Sequence, residues 1–243
     1  MTLKFIKKTR LHLQLFSATI KEKSTKEVVT MNSFTVYLVR HGSTTLNSFN
    51  RMQGWIDSDL SDDGIQQAQQ AAEKLQAVTF NRAFSSDLGR AVSTRNLILD
   101  QLHQAPQEID QLPEFREVNF GFFEGLNSDD IWAGIAAPYG KHSQGDLIAI
   151  GGLKEARDAM KQSDPSHTAE DYDEIISRIK NGFKALREHC EAGESILLVS
   201  HGTIIRTIAD YLGVDTMDNY PKNGGVSKLT VAPDQVIVEA YNQ

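Results

Sequence analysis

The chain has 243 residues, 40% of them hydrophobic, with a single cysteine, enough to bury one sizeable core or one core plus a smaller cap. Cys190 alone excludes a disulfide framework and cysteine-rich zinc sites and suits a reducing compartment, so a cytoplasmic location is expected, and no run of about 18 apolar residues marks a membrane span. The net charge of -7 conceals a balance of +5 over residues 1–30 and -12 over the rest, which argues against nucleic acid as a partner of the acidic body.

Residues 1–30 contain Leu11, Leu13 and Leu15 but no apolar stretch of secretory-signal length. They are expected to be a basic, disordered extension, with Met31 a candidate translation start and 31–243 one domain. The first strand is expected over 34–39. Its apolar run, Val36-Tyr37-Leu38-Val39, stops abruptly at Arg40-His41-Gly42, and ligands of α/β proteins sit outside the carboxyl ends of parallel strands. A polar loop from Ser43 to Ser61 follows, with Asn47, Arg51, Gln53 and Gly54 as candidate hydrogen-bonding residues. Ser61 is a plausible N-cap, with Asp62 and Asp63 in a favourable first turn and Ile65, Ala68, Ala72 and Leu75 on one apolar face.

Thr79 to Ser85 reads as a second strand, after which Ser86-Asp87 opens a helix buried through Leu88, Ala91, Val92, Ile98, Leu99 and Leu102. Arg90 in its first turn compounds the pull of a helix N-terminus on anions. The plainer alternative is a surface arginine paired with a carboxylate such as Asp87. A short strand over 107–110 leads into a loop dense in aromatics, glycines and carboxylates, Leu112 to Gly125. Residues 126–167 have only weak helical hints and read as an inserted cap. Tyr172, Ile175, Ile176, Ile179, Phe183 and Leu186 then define a long helix ended by Ala192-Gly193. Ile196 to Val199 repeats the first strand's grammar, ending in Ser200-His201-Gly202, and a helix through Ile204, Ile205, Ile208 and Leu212 precedes closing strands at 228–231 and 236–240. Strands alternating with helices predict a three-layer α/β/α fold with a mostly parallel sheet and an inserted cap.

If two parallel strands bring these ends together, Arg40, Arg90 and one protonated imidazole can surround a dianionic phosphoryl group while the other imidazole attacks phosphorus. No metal or cofactor is required by that chemistry. The leaving alkoxide needs a proton, for which Glu117, desolvated by the aromatic loop, is the preferred donor, with Glu114 and Glu124 left open. The histidines at 12, 103, 142, 167 and 189 show no metal-ligand spacing and read as surface residues. Asp57-Ser58-Asp59 superficially resembles an aspartate-nucleophile sequence but lies in a polar loop, and Cys190 lacks the arginine that a cysteine phosphatase needs six positions on.

Arg40-His41-Gly42 after an apolar strand resembles the signature of the histidine phosphatase superfamily, also called phosphoglycerate mutase-like. Asn47 and Arg51-Met52-Gln53-Gly54 resemble its phosphate loop, Ser86-Asp87-Leu88-Gly89-Arg90-Ala91 with Thr94 its second-arginine sequence, Glu117 to Gly125 its acid sequence and Ser200-His201-Gly202 its second histidine. The resemblance implies that His41 is the phosphorylated nucleophile, that Arg40, Arg90 and His201 form the phosphate pocket, that Glu117 donates the proton, and that Gly202 N–H and Asn47 add phosphate contacts. It departs from the family at Asp59, where many members have proline. The adjacent arginine pair with which glycolytic mutases hold a carboxylate is also missing, although Lys141, Lys154 and Arg157 lie in the cap. Hydrolysis of a small phosphorylated substrate is therefore expected, with a bisphosphoglycerate-dependent mutase and a silent phosphate-binding protein as alternatives. Phe122, Phe123, Trp132 and Tyr139 are candidates for an apolar wall around the leaving group. Monomer and homodimer remain open.

Overall fold

A computed structural model describes residues 32–243; the basic extension and Met31 lie outside the described residues. The strands are β1 (Phe34–Arg40), β2 (Arg82–Ser85), β3 (Glu108–Gln111), β4 (Ser195–Ser200), β5 (Val226–Val231) and β6 (Val236–Ala240). They form one sheet in the order β3-β2-β4-β1-β5-β6. The first four positions are parallel, whereas β5 pairs antiparallel with β1 and β6 antiparallel with β5. The expected mostly parallel α/β/α arrangement is thus observed. β1 and β4 are neighbours in register, Arg40 opposite Ser200, so the two His-Gly endings emerge side by side.

Both central strands are apolar on both sides because both faces of the sheet are covered. Val36, Leu38, Ile196 and Leu198 join one core cluster, Val39, Leu197 and Val199 the other. The second face is covered by α2 (Asp62–Leu75) and α3 (Gly89–Leu102), the first by α6 (Tyr172–His189) and α7 (Gly202–Tyr211); α1 is a single turn at Thr45–Ser48. Ser61 caps α2 as expected, accepting from Gly64 N–H. Ile65 does not belong to the buried face of that helix and is 37% exposed. Ala71 is buried instead. α3 begins at Gly89 rather than at Ser86, since the Ser86 hydroxyl is already engaged with His201 Nε2 at 2.6 Å. β2 starts three residues later than expected from Thr79.

The weakly patterned insertion contains two helices, α4 (Ser128–Ala136) and α5 (Gln144–Ser163). α5 is interrupted at Gly151 and Gly152, the latter at φ +72°, a left-handed value that accounts for glycine and for the blurred periodicity. Trp132, Ile135, Leu147, Leu153, Ala156 and Met160 belong to the same cluster as α6 and α7, so the cap shares the core of the sheet. No helix among the described residues is long and apolar enough to cross a membrane.

Candidate active site

A cavity of about 520 Å³ opens where β1 and β4 end, and its wall includes Arg40, His41, Asn47, Gln53, Glu117, Phe120, Trp132, Arg157, Thr203, Tyr220 and Asn223. His41 is 3% exposed. Its backbone is fixed on both sides of the strand end, the N–H donating to Ser200 O at 2.9 Å and the carbonyl accepting from Asn223 Nδ2 at 2.9 Å. Nδ1 lies 2.7 Å from Gly42 O, and Arg90 Nε donates toward Nε2 at 3.3 Å. A carbonyl can only accept, so Nδ1 carries the proton and Nε2 holds the lone pair, which accepts from Arg90 Nε. Burial first, and then the Arg90 and Arg40 guanidiniums, hold the His41 pKa well below its ordinary value. His41 is a neutral imidazole with Nε2 available as nucleophile.

His201 is fully buried, its ring centroid 5.0 Å from that of His41. Burial, Arg90 and His41 depress its pKa as well. Burial and the neighbouring guanidiniums thus favour the neutral form of both rings, and the protonated imidazole expected around a phosphoryl group depends on the charge that group brings. Ser86 Oγ binds His201 Nε2, while Nδ1 is buried without a hydrogen-bond partner among the described residues.

Arg90 is 1% exposed and spends its donors on the protein: Nη2 on Gly54 O at 2.7 Å, Nη1 on Ile56 O at 3.0 Å and on Asp57 Oδ1 at 2.9 Å. Asp57 also accepts from Gly89 N–H. Asp87, the carboxylate the sequence offered for Arg90, instead pairs with Arg116, whose Nε lies 2.6 Å from Asp87 Oδ1. Arg40 Nη1 donates to Pro221 O at 2.7 Å, its guanidinium stacks 5.2 Å from the Tyr220 ring, and Nε is buried without a hydrogen-bond partner among the described residues.

Glu117 is 5% exposed, and its seat is made by backbone N–H groups. Oε1 accepts from Val118 N–H at 2.9 Å and Oε2 from Thr203 N–H at 3.0 Å, in the first turn of α7, where a helix terminus favours a carboxylate. Arg178 on α6 donates to the carbonyls of Glu114, Arg116 and Glu117 and pairs with Glu170, which pins the acid loop. Glu124, one of the carboxylates left open, accepts from Trp55, Ile56 and Phe120 N–H groups and so ties two loops together.

The remaining predicted residues divide. Asn47 and Gln53 reach the cavity. Asn47 Oδ1 accepts from Thr44 N–H in a capping box, however, and Gln53 is engaged by the Thr44 hydroxyl at 2.6 Å and donates to Ser58 Oγ at 3.1 Å. Gly54 and Gly202 are not part of the cavity wall; each is glycine because a Cβ would collide, at Gly54 with Val118 O and at Gly202 with Tyr220 Oη. Of the aromatic residues expected around a leaving group only Trp132 lines the cavity, joined by Phe120. Phe123 is buried in the core and Phe122 is 61% exposed.

Gly42 and Gly64 form a reciprocal contact. A Cβ on Gly42 would strike Gly64 O, and one on Gly64 would strike Ser43 O. The loop after His41 is thereby pressed onto the first turn of α2, and Gly42 N–H donates to Thr94 Oγ1 at 3.1 Å.

The sequence set Asp57 aside as a polar-loop residue, without a role beside Arg90, and gave no reading of Tyr220, Asn223 and Arg178. Their signals were present but generic: an acidic residue in a polar loop, a Tyr-Pro-Lys-Asn-Gly-Gly turn before a strand, and an arginine on a packing helix.

A family model of the histidine phosphatase superfamily (branch 1) matches residues 36–243. The 2,3-bisphosphoglycerate-dependent phosphoglycerate mutase of Blochmanniella pennsylvanica is 30% identical over 192 residues, covering 72% of this chain and 82% of the relative. The crystal structure of a phosphoglycerate mutase from Bacillus anthracis matches at TM-score 0.80 with 31% identity, covering 88% of this chain and 95% of that one. An alpha-ribazole phosphatase from Shigella flexneri shares the fold at TM-score 0.64 and 23% identity, covering 86% of this chain and 96% of that one.

Proposed function

This chain belongs to the histidine phosphatase superfamily, and from that premise we propose that it is a phosphomonoester hydrolase acting through a phosphohistidine on a small phosphorylated metabolite. The observation that carries the reading is the neutral His41 ring, Nδ1–H donated to Gly42 O and Nε2 facing the Arg90 guanidinium beside Arg40. In the first step Nε2 attacks phosphorus, the ester P–O bond breaks, and the leaving oxygen takes a proton from Glu117. In the second, water attacks the phosphohistidine, Glu117 accepts a proton from it, the N–P bond breaks and inorganic phosphate leaves. Arg40, Arg90 and His201 stabilise charge on the moving group, and positioning supplies much of the acceleration. The phosphate dianion favours protonation of His201, which burial and its cationic neighbours oppose in its absence.

The mutase reading is favoured by the two similar phosphoglycerate mutases. Against it stands the missing pair of adjacent arginines in the sequence. Incubation with 3-phosphoglycerate separates them: release of inorganic phosphate supports the hydrolase, and conversion to 2-phosphoglycerate with retained phosphate overturns it. Mass spectrometry of protein mixed with p-nitrophenyl phosphate and quenched in alkali should find one phosphoryl group on His41. Turnover with no label on any histidine would remove the covalent route.

A further inference from the structure

Asn242 follows β6 and is not part of the cavity wall; it is buried and sits at φ +54°, a left-handed value that asparagine tolerates better than most residues. Its side chain is spent on one turn, residues 219–223 ahead of β5. Nδ2 donates to Tyr220 O at 3.0 Å and to Asn219 Oδ1, while Oδ1 accepts from Lys222 N–H at 2.8 Å. Its own N–H donates to Ser227 Oγ at 3.0 Å, which roots the residue beside β5. Gly225 makes room for it, since a Cβ there would meet Asn242 Oδ1 at 2.6 Å. The amide thus holds Pro221 from both sides, through Tyr220 and through Lys222.

Arg40 meets that same turn twice. Nη1 donates to Pro221 O, and the guanidinium lies over the ring of Tyr220, the residue whose carbonyl Asn242 holds. Asn223, the last residue of the turn, donates to His41 O. A long side chain loses rotamer freedom when it is aimed, and a planar guanidinium recognises an oxyanion only in the right orientation. Residues 219–223 belong to no strand or helix. The direction of Pro221 O therefore depends on side chains that reach the turn from elsewhere, Asn242 first and Tyr241, whose Oη donates to Asn219 O at 2.9 Å, second. We propose that Asn242 is a positioning residue of the phosphate pocket: by fixing the turn around Pro221 it aims the Arg40 fork at a phosphoryl group beside His41. The place of that group rests on the hydrolase reading; the aiming of Arg40 rests on Asn242 and the turn.

The test is a double-mutant cycle read by calorimetric binding of inorganic phosphate to the full chain. N242G suits the left-handed backbone and removes only the amide. It is expected to weaken phosphate binding about tenfold in the wild-type background. R40K keeps the charge, but a lysine ammonium is a point charge with no planar fork to aim, so in that background N242G is expected to weaken binding by less than about twofold. An amide that merely supported the fold would cost the same factor in both. N242D, which keeps the acceptor for Lys222 N–H and lacks both donors, is read in the same way if N242G does not fold. Equal weakening in the two backgrounds, or undiminished binding in the wild-type one, overturns the proposal. Phosphate release from p-nitrophenyl phosphate is followed in the same proteins. No release from the wild type, with binding that depends on the background, defeats the hydrolase reading and leaves this inference standing; release with equal weakening does the reverse.

Discussion

The wall of the cavity built by the ends of β1 and β4 holds His41 and Glu117 on protein partners, whereas on the wall contributed by the cap the Arg157 guanidinium has no hydrogen-bond partner among the described residues. His41 is fixed at its N–H, its carbonyl and Nδ1 and Glu117 by two backbone N–H groups, while Arg90, which does not line the cavity itself, is held behind His41 by the 53–57 loop. Such a wall has its geometry before a ligand arrives, which is what positioning catalysis requires. The cap wall carries an unmet electrostatic demand instead. The difference teaches that, on the proposed reading, the two walls are separable: the strand ends are built to hold the phosphoryl group in fixed geometry, and the cap wall is not fixed in the same way.

Substitutions at the strand ends should therefore affect every ester alike, and the largest effect is expected at the nucleophile. H41A should lower turnover of p-nitrophenyl phosphate by about 10⁴-fold or more, and a residual rate within tenfold of wild type would assign attack to another group. E117Q sharpens the division within that wall. It should slow esters with poor leaving groups by roughly 10² or more and p-nitrophenyl phosphate, whose leaving oxygen needs no proton, much less. Equal slowing of both would move the proton donor elsewhere. D57N loosens the clamp on Arg90 without touching the cavity, and kcat is expected to fall about tenfold to a hundredfold in steady-state assays with any ester.

Protons give a smaller effect with a definite sign. His41 and His201 have depressed pKa values in the folded protein, against about 6.5 when unfolded. Between those limits the unfolded chain binds protons that the folded one does not, so stability is fully present above about pH 6.5 and falls as pH drops below it. The melting temperature should decline from pH 7 to pH 5 more steeply in wild type than in H201N, and the acidic limb of kcat/KM should lie below pH 6.5. The smallest effect belongs to the cap backbone. Gly152 sits at φ +72° with open space around it, so G152A should cost about 1–2 kcal/mol in urea unfolding and leave p-nitrophenyl phosphate turnover unaltered. A large loss of turnover there would break the proposed independence of the two walls.

What could be read from the sequence follows the same divide. Arg40, His41 and His201 were legible because strand grammar is local: an apolar run stops, and charged groups are delivered at its end. Parallel pairing of β1 with β4 followed from the repeat of that ending. The partners of Arg90 were not legible, since choosing Asp57 over Asp87 depends on how a loop more than thirty residues away folds back, and Asp87 is taken by Arg116. The cap helices were blurred by glycines that interrupt their period. Asn223 was missed for another reason. It acts from a turn that reaches His41 only through the antiparallel pairing of β5 with β1, a long-range contact with no mark in the surrounding residues.

The interlocked glycines 42 and 64 limit how this enzyme can diversify. Enlarging either one meets the other segment's main chain rather than a side chain that can turn aside, so no second-site repacking rescues the change, and a double variant inherits both clashes. Descendants and engineered libraries alike must keep that seam and vary the inserted segment, where Gly134, Gly140 and Gly152 have open space around them.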